Sequence, residues 1–258
     1  MALVGVSLLL FQHMAVVPYK DKPTSKREQV GEMFDTIAPK YDFLNHFLSA
    51  GIDILWRKKA IRLLRPFAPK RILDIATGTG DLALEALALK PDKIVGVDIS
   101  EGMLAVGRQK MVARGVENII EMRTGDSQGL LFPDNDFDAA IVSFGVRNFE
   151  NLLAGLTDMH RVVRPGGVCL VLEFSKPRQF PFRQFYDVYT ARVVPFFGKL
   201  VSKDTSAYTY LNESMRAFPD GPEFIRVFEA AGFQHTKWIP LSFGIASIYI
   251  GQKSATPA

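Results

Sequence analysis

The stretch RILDIATGTGD, residues 71–81, joins an apolar run to two glycines separated by a threonine, and an acid then begins a helical pattern. A short run of Ile and Leu predicts a buried strand. Gly78 and Gly80 predict a tight turn, because glycine adopts positive φ angles without steric cost, and they also let a ligand approach the backbone closely. The stretch therefore indicates either an ordinary turn or a ligand-binding loop at the end of a strand.

The chain after this stretch alternates short apolar strands with helices. Further strands are predicted at KIVGVDIS, IIEMRTGD, AAIVSF and VCLVLEF, and helical patterns separate them. Strands rich in Ile, Val and Leu that alternate with helices predict a parallel sheet covered on both faces, which is an α/β fold. Near the end of the chain, a helix and two more strands are predicted.

The N-terminal part of the chain shows helical patterns rather than strands. Thr24 or Ser25 is placed to cap a helix, and Pro39 interrupts the pattern that follows. The apolar run at the N-terminus is about 11 residues long, well short of the roughly 20 that span a bilayer. The predicted divisions are an uninformative apolar extension at 1–19, a helical cap at 20–68, and a main domain at 69–253 with an insertion at 176–220.

Composition limits the classes of function. The net charge of +4 over 258 residues is too small to indicate a nucleic-acid partner. The single cysteine, Cys169, excludes an internal disulfide and fits a reducing, cytoplasmic location. The four histidines are scattered without the spacing of metal ligands, so no metal site is predicted.

A second feature indicates nucleoside binding. The strand KIVGVDIS reaches Asp98, which lies 20 residues after Gly78. In an open α/β sheet, ligands bind beyond the carboxyl ends of the strands where the winding reverses direction. An acid at this distance from the glycines accepts hydrogen bonds from both hydroxyls of a ribose. The glycine loop and Asp98 together therefore predict an adenosine site.

Two cofactors compete for such a site. Gly78-x-Gly80-x-x-Ala83 satisfies a loose dinucleotide fingerprint, so an NAD-dependent oxidoreductase is one interpretation. The other interpretation is an S-adenosylmethionine enzyme. It is supported by Asp126, an acid at the end of the third strand that can accept a hydrogen bond from the adenine amine. Asp81, beside the loop, would repel a pyrophosphate but attract a sulfonium, which favours S-adenosylmethionine. A non-catalytic adenosyl-binding subunit is a third interpretation.

The succession DIATGTGD, GVDIS, TGD, FPDNDFDAAIVSFGVRN and RVVRPGGVCLVLEFSKP resembles class I S-adenosylmethionine-dependent methyltransferases. The stretches YDFLNHFLSAGIDILWR and YTYLNESMRAFPD, with FGVRN, narrow the resemblance to the C-methyltransferases of menaquinone and ubiquinone biosynthesis. It covers about residues 28–252. The resemblance implies a Rossmann-like, mostly parallel sheet with an antiparallel C-terminal strand behind an N-terminal helical cap, and S-adenosylmethionine as cofactor.

The resemblance also implies site residues and shows departures from the family pattern. The implied cofactor contacts are Thr79, Asp98, Asp126, Ser127 and Ser143, with Gly78 and Gly80 forming the loop. Leu44 stands where the family usually has Met, Asp53 where it has His, and Thr77 where it has Gly. Ser127 and Gln128 replace a more usual Ala-Glu pair. These changes leave the cofactor site intact but exclude a mechanism built on a histidine at position 53.

The chemistry that the resemblance implies is methyl transfer to a ring carbon of a prenylated quinol, giving menaquinol or the corresponding ubiquinone precursor. Such a reaction needs a group that stabilises the quinol oxyanion or accepts its proton. Arg147 and Asn148, just after the fourth strand, are the candidate catalytic residues: Arg147 for the oxyanion or a water, Asn148 for a ring oxygen. Alternatively, Arg147 pairs with a carboxylate such as Glu150 and only orders the loop.

The segment 176–203 carries six basic residues against one acid, together with seven aromatic residues. Aromatic side chains beside Lys and Arg suit a lipid interface, so this segment predicts peripheral contact with the inner face of a membrane, or a tunnel for an isoprenoid tail. Alternatively, its aromatic residues are buried in the domain or in a homodimer contact.

Overall fold

The computed structural model describes residues 16–193 and 206–255, and within them the chain forms a seven-stranded sheet. Its strands are β1 (Arg71–Ile75), β2 (Lys93–Asp98), β3 (Ile120–Thr124), β4 (Phe137–Ser143), β5 (Val163–Phe174), β6 (Gln234–Leu241) and β7 (Ala246–Gln252). They lie in the order β3-β2-β1-β4-β5-β7-β6. Within this sheet, β7 alone runs in the direction opposite to the other six strands. The predicted mostly parallel sheet with an antiparallel C-terminal strand is confirmed.

Nine α-helices accompany the sheet in the part of the chain that the structure describes. They are α1 (Lys26–Ile37), α2 (Tyr41–Leu48), α3 (Ile52–Leu64), α4 (Asp81–Ala86), α5 (Glu101–Ala113), α6 (Leu152–Val162), α7 (Phe182–Val188), α8 (Ser206–Ala217) and α9 (Pro222–Ala230). Three-residue 3₁₀ turns extend or link several of them, including Val146–Asn148 after β4 and Ser242–Gly244 before β7.

The helical cap begins with a capping box. The hydroxyl of Ser25 accepts the Glu28 N–H, and the Glu28 carboxylate in turn accepts the Ser25 N–H over 2.9 Å. Two of the unpaired donors at the start of α1 are thereby satisfied, so Ser25 rather than Thr24 is the cap. Pro39 lies in a 3₁₀ turn between α1 and α2, as the interruption predicts.

The sheet separates two apolar layers. Successive residues of a strand enter opposite layers: Ile94 packs in one and Val95 in the other, and Ala139 and Ala140 divide in the same way. This alternation follows from the pleat of a strand, and the scarcity of polar positions in the central strands follows from burial of both faces. A third, smaller cluster joins α1 to α8.

The order of the strands fixes where a ligand site can form. The chain winds from β1 outward through β2 and β3, and then returns to β4 on the other side of β1. The connections that follow β1 and β4 therefore lead to opposite sides of the sheet. A crevice forms between the carboxyl ends of these two strands. The loops that follow β1, β2 and β4 all border this crevice.

Several sequence predictions fall wholly or partly outside the described ranges. Residues 1–15 and 194–205 lie outside them, and the latter include Phe196, Phe197, Lys199 and Lys203 of the aromatic and basic segment. Across 16–193 and 206–255, no helix combines the length and the apolar character needed to cross a membrane. The domain boundaries, including the insertion at 176–220, stay predictions.

Candidate active site

The loop after β1 turns through left-handed backbone at Ala76, Gly78 and Gly80, with φ angles of 50°, 56° and 83°. The Gly78 N–H donates to Oδ2 of Asp98 over 2.8 Å, which fastens the loop to the end of β2. The nearest atom to a Cβ built on Gly78 would be Cε1 of Tyr41, 3.9 Å away. The loop therefore leaves room for a ligand against its backbone.

A cleft opens beyond the carboxyl ends of β1, β2 and β4. Six of the nine predicted site residues line it: Gly78, Asp98, Asp126, Ser127, Ser143 and Asn148. Apolar side chains, among them Phe34, Ile99 and Met103, complete its wall. The structure thus brings most of the predicted residues to one place, while the contact that each makes with a cofactor stays a prediction.

Asp98 is the buried acid of the cleft. Its Oδ1 accepts the Ser100 N–H over 2.9 Å and its Oδ2 accepts the Gly78 N–H. Burial raises its pKa to about 6, although these backbone donors act in the opposite direction. A carboxylate that is held by N–H groups on a cleft wall can still accept hydrogen bonds from hydroxyls of a ligand. This geometry fits the predicted ribose contact.

Asp126 and Ser127 lie at the far wall of the cleft, after β3. Arg27 of α1 pairs with Oδ2 of Asp126 at 2.9 Å, and the Gln128 N–H donates to Oδ1 over 3.0 Å. The Ser127 hydroxyl donates to the same Oδ1 over 3.3 Å. The acid is therefore fixed in place, and the helical cap closes over this end of the cleft through Arg27.

Thr79 and Asp81 lie behind the loop, in a network of charges. The Thr79 hydroxyl donates to Asp42 of α2 over 2.5 Å. Lys110 of α5 donates to Asp42 over 2.9 Å and to Asp81 over 2.5 Å, and Arg57 pairs with Asp81 at 3.3 Å. The sequence argument that Asp81 attracts a sulfonium is therefore wrong, because its carboxylate does not line the cleft and faces Lys110 and Arg57, two cations that it shares with Asp42 and Asp53. The Thr79 hydroxyl ties the loop to the cap, and its predicted contact with the cofactor stays a prediction.

A second cavity of about 710 Å³ adjoins the cleft. Its wall is mainly apolar and comes from the cap, from α7 and α8, and from the ends of β4 and β5. The residues that line both spaces are Phe34, Tyr41, Phe144 and Asn148. The volume lies within the range of about 300–1,000 Å³ that is usual for small-molecule sites. A ligand in the cleft would therefore meet a second, apolar ligand at this junction.

Arg147 lies at the wall of the apolar cavity, near the junction. Its side chain is 6% exposed and pairs with the fully buried Glu173 at 2.8 Å, and it also donates to the Phe144 carbonyl. Glu173, not Glu150, is thus the carboxylate partner. Burial raises the pKa of Glu173, and Arg147 opposes that rise. Within the described residues the buried Nε of Arg147 has no acceptor, which leaves a charged donor for a ligand.

Asn148 is oriented by a buried phenol. The Tyr210 hydroxyl of α8 donates to Oδ1 of Asn148 over 3.1 Å. Burial raises the pKa of Tyr210, so this hydroxyl keeps its proton. Since Oδ1 is occupied, the amide group of Asn148 presents its N–H donors on the opposite side. Asn148 lines both the cleft and the cavity, where such a donor can reach an oxygen atom of a ligand.

Three residues that hold this site in place were not identified from the sequence. Asp74 is buried in β1, its Oδ2 accepts the Thr77 hydroxyl over 2.6 Å, and burial raises its pKa to about 7. A lone acid inside an apolar strand was the available signal for Asp74, and likewise for Glu173 in VCLVLEF. Tyr210 carries no such signal, because a tyrosine in a helix is most often a packing residue.

Comparison with known proteins adds evidence that is independent of this geometry. A model of the ubiE/COQ5 methyltransferase family matches residues 22–253. A demethylmenaquinone methyltransferase of Bacteroides fragilis is 48% identical over 91% of this chain and 98% of its own. A ubiquinone/menaquinone biosynthesis C-methyltransferase UbiE of Geobacter sulfurreducens is 44% identical over 89% and 90% of the two chains.

Solved structures agree on the fold. A possible histamine N-methyltransferase of Thermotoga maritima, described as S-adenosylmethionine-dependent, superposes with a TM-score of 0.62 at 20% identity, over 87% of this chain and 99% of that one. The family match confirms the methyltransferase interpretation over the NAD-dependent oxidoreductase, and with it S-adenosylmethionine as the cofactor. The chain belongs to the ubiE/COQ5 methyltransferase family.

Proposed function

We propose that the chain methylates a ring carbon of a prenylated quinol and converts demethylmenaquinol to menaquinol in respiratory quinone biosynthesis. The observation that carries this proposal is the junction of the polar cleft with the apolar cavity of about 710 Å³. A prenylated quinol needs an apolar space for its tail and a polar, charged place for its ring oxygens. The relative from Bacteroides fragilis bears the name of this reaction.

The cleft has the donors and acceptors that the cofactor needs. Asp98 would accept the ribose hydroxyls, and Gly78 would let the cofactor lie against the loop, while Gly80 lets the same loop pack closely on Met111. Asp126 and Ser127 would hold the adenine, and Ser143 would contact the cofactor from the end of β4. When bound, S-adenosylmethionine supplies an electrophilic methyl group to the ring carbon beside an ionised quinol hydroxyl.

The apolar cavity would act on the quinol through two residues. Ionising a quinol hydroxyl leaves an oxyanion, which is costly to bury unless a donor or a positive charge lies beside it. The guanidinium of Arg147 would stabilise this oxyanion, or hold a water that accepts the proton, and its unpaired Nε–H provides the donor. The amide of Asn148, oriented by Tyr210, would hold the ring oxygen. The apolar wall would exclude bulk water and so strengthen both interactions.

A second candidate acceptor is the methoxy-polyprenyl-benzoquinol of ubiquinone biosynthesis. The observation that favours it is the name of the Geobacter sulfurreducens relative, which includes both quinones. Both acceptors present an ionisable ring hydroxyl beside an unmethylated ring carbon, and both carry an apolar tail. The residues at the junction suit either ring.

The test uses the full chain with S-adenosylmethionine labelled in its methyl group. Label is expected in demethylmenaquinol, and the benzoquinol with the same tail measures the second acceptor. Menaquinol is the matched control, since its target carbon already carries the methyl group. Binding of the cofactor without labelling of either quinol would contradict methyl transfer and favour a non-catalytic adenosyl-binding subunit.

A further inference from the structure

Large apolar side chains stand exposed around the mouth of the apolar cavity. The set, here called the apolar rim, consists of Phe43, Phe47, Leu55, Phe180, Phe185 and Phe243. Each is between 47% and 80% exposed. Single exposed apolar side chains are ordinary on a protein surface, whereas a contiguous group of large ones marks an interaction site.

Contacts bring the three chain segments of the rim together. In the cap, Phe43 stacks on Phe47, with ring centroids 5.9 Å apart, and Phe47 lines the cavity. In the segment after β5, Phe182 stacks on Phe243 at 3.7 Å, and Phe185 lines the same cavity. Phe47 and Phe185 thus line the cavity themselves, and each of the other four adjoins a lining residue: Phe43 stacks on Phe47, Phe243 stacks on Phe182, Leu55 precedes Trp56, and Phe180 lies two positions before Phe182.

The turn that carries Phe243 is held in an unfavourable conformation. Ser242 and Phe243 have φ angles of 43° and 60°, which residues with a Cβ rarely adopt. The Trp56 indole N–H donates to the Ser242 hydroxyl over 2.9 Å, and this bond joins the turn to α3. In this conformation the Phe243 side chain is 65% exposed, so most of its apolar surface is not buried in the chain's own core.

Three exposed cations lie beside the rim. Lys58 and Lys59 lie one turn after Leu55 on α3, and Arg183 lies between Phe182 and Phe185 on α7; all three are exposed. The acids of the same cap helices are already paired, Asp42 with Lys110 and Asp53 with Arg57. An apolar surface flanked by cations complements an anionic bilayer.

We infer that the apolar rim docks on an anionic lipid bilayer with the mouth of the cavity facing the lipid. A prenyl tail then passes between bilayer and cavity without crossing water, a consequence that rests on the proposed function. The inference extends the membrane contact predicted from segment 176–203, because the cap contributes half of the rim through Phe43, Phe47 and Leu55. A two-fold contact between copies would instead bring like charges together, which opposes self-association through this face.

The first experiment measures co-sedimentation of the full chain with vesicles of phosphatidylcholine and phosphatidylglycerol, without any quinol. We expect binding that weakens with salt and weakens on vesicles of phosphatidylcholine alone. Phe180→Glu and Leu55→Glu should each weaken binding by at least about tenfold. Leu131→Glu and Val112→Glu, at positions that are 96% and 64% exposed outside the rim, are the matched controls and should bind as the unaltered chain does.

A second experiment locates the inserted side chain and does not depend on a disruptive substitution. Brominated lipids should quench the added fluorescence of Phe180→Trp but not that of Leu131→Trp. The inference is overturned by absent vesicle binding, by equal loss in rim and control variants, or by equal quenching at both positions. A change from dimer to monomer in Phe180→Glu with unaltered vesicle binding would also overturn it and would assign the rim to a homodimer contact. Because no quinol is present, each outcome is independent of the proposed reaction.

Discussion

The cofactor cleft and the apolar cavity share four wall residues, yet they place charge in opposite ways. On the cleft side, Asp74 and Asp98 are buried carboxylates held by hydroxyl and N–H groups. On the cavity side, the buried pair Asp53 and Arg57 and the buried Arg147 lie at the wall, and Arg147 is the charge near the junction, with its partner Glu173 behind it. A cationic cofactor would complement the first side, and an anionic quinolate the second.

The two sides also differ in how the chain builds them. The cleft is made by loops that directly follow β1, β2, β3 and β4, so each polar residue sits a fixed few positions from a strand end. The cavity is made by α1–α3, by α7 and α8, and by the turn before β7. It needs only apolar volume and one charged donor, which many sequences can supply. In this protein the positions of the charged residues in the cleft follow from short sequence segments at the strand ends. The shape of the cavity depends on how distant segments pack in the tertiary fold.

The largest expected effect concerns the cation of the cavity. Arg147→Ala should lower turnover at least about 100-fold, the usual scale for removing one group that stabilises an oxyanion. Cofactor affinity should change little, because Arg147 lies on the quinol side of the junction. Steady-state turnover and calorimetric binding of S-adenosylmethionine measure the two quantities separately.

Controls for this prediction must address the buried pair. Arg147→Ala leaves Glu173 buried without its partner, which typically costs about 3–5 kcal/mol of stability. The double variant Arg147→Met with Glu173→Met removes both charges and should show the same loss of turnover. Arg164→Ala, which breaks an exposed pair with Asp138 at the amino ends of the strands, should retain full turnover. Unaltered turnover in a double variant that binds the cofactor would refute the role of Arg147.

The next effect sharpens the cleft side. Asp98→Asn should weaken S-adenosylmethionine binding about 30-fold, since hydrogen bonds to a charged group contribute roughly 1.5–3 kcal/mol. In the unaltered chain, affinity should fall as the pH drops below about 6, because a cofactor that binds the carboxylate is opposed by its protonation. The Asn variant should lack this pH dependence. Asp92→Asn, an exposed acid at the other end of β2, is the control.

The same contrast explains how much the sequence could predict. The parallel strands, the glycine loop and Asp98 follow from alternating strand and helix patterns, from the glycines at 78 and 80 and from a fixed spacing, which are all local properties. The order of the strands in the sheet was not predicted, because it depends on the tertiary fold. The prediction that Asp81 attracts a sulfonium was wrong because its neighbours in space, Lys110 and Arg57, lie 29 and 24 positions away in the sequence. Nothing local marks which charge an acid will meet after folding.

The cavity was harder to predict for a related reason. Arg147 and Asn148 were recognisable from a motif, but Glu173 and Tyr210, which hold them, belong to a strand and a helix further along the chain. The aromatic character of segment 176–203 was visible, whereas the contribution of Phe43 and Leu55 to the same opening was not. Their exposure depends on how the cap packs against the domain, and an amphipathic pattern alone does not reveal that.

The smallest effect tests whether the cleft carries unneutralised negative charge before the cofactor binds. Asp74 has a buried Oδ1 with no partner among the described residues, and its pKa is raised to about 7. Between the ordinary pKa and this value, the folded chain binds more protons than the unfolded chain, so stability is lost as the pH rises. With these two pKa values, the loss between about pH 6 and pH 8 is roughly 1.4 kcal/mol.

Asp74→Asn should remove that loss, so the free energies of unfolding of the variant and the unaltered chain should diverge as the pH rises. Urea unfolding of the cofactor-free chain at a series of pH values measures the difference directly. Asp92→Asn again serves as the matched substitution and should follow the unaltered chain at every pH. If the Asp74 variant shows the same pH slope as the unaltered chain, its carboxylate is neutralised in the folded protein. The buried negative charge of the cleft would then reside in Asp98, and the contrast with the cavity would rest on that buried acid.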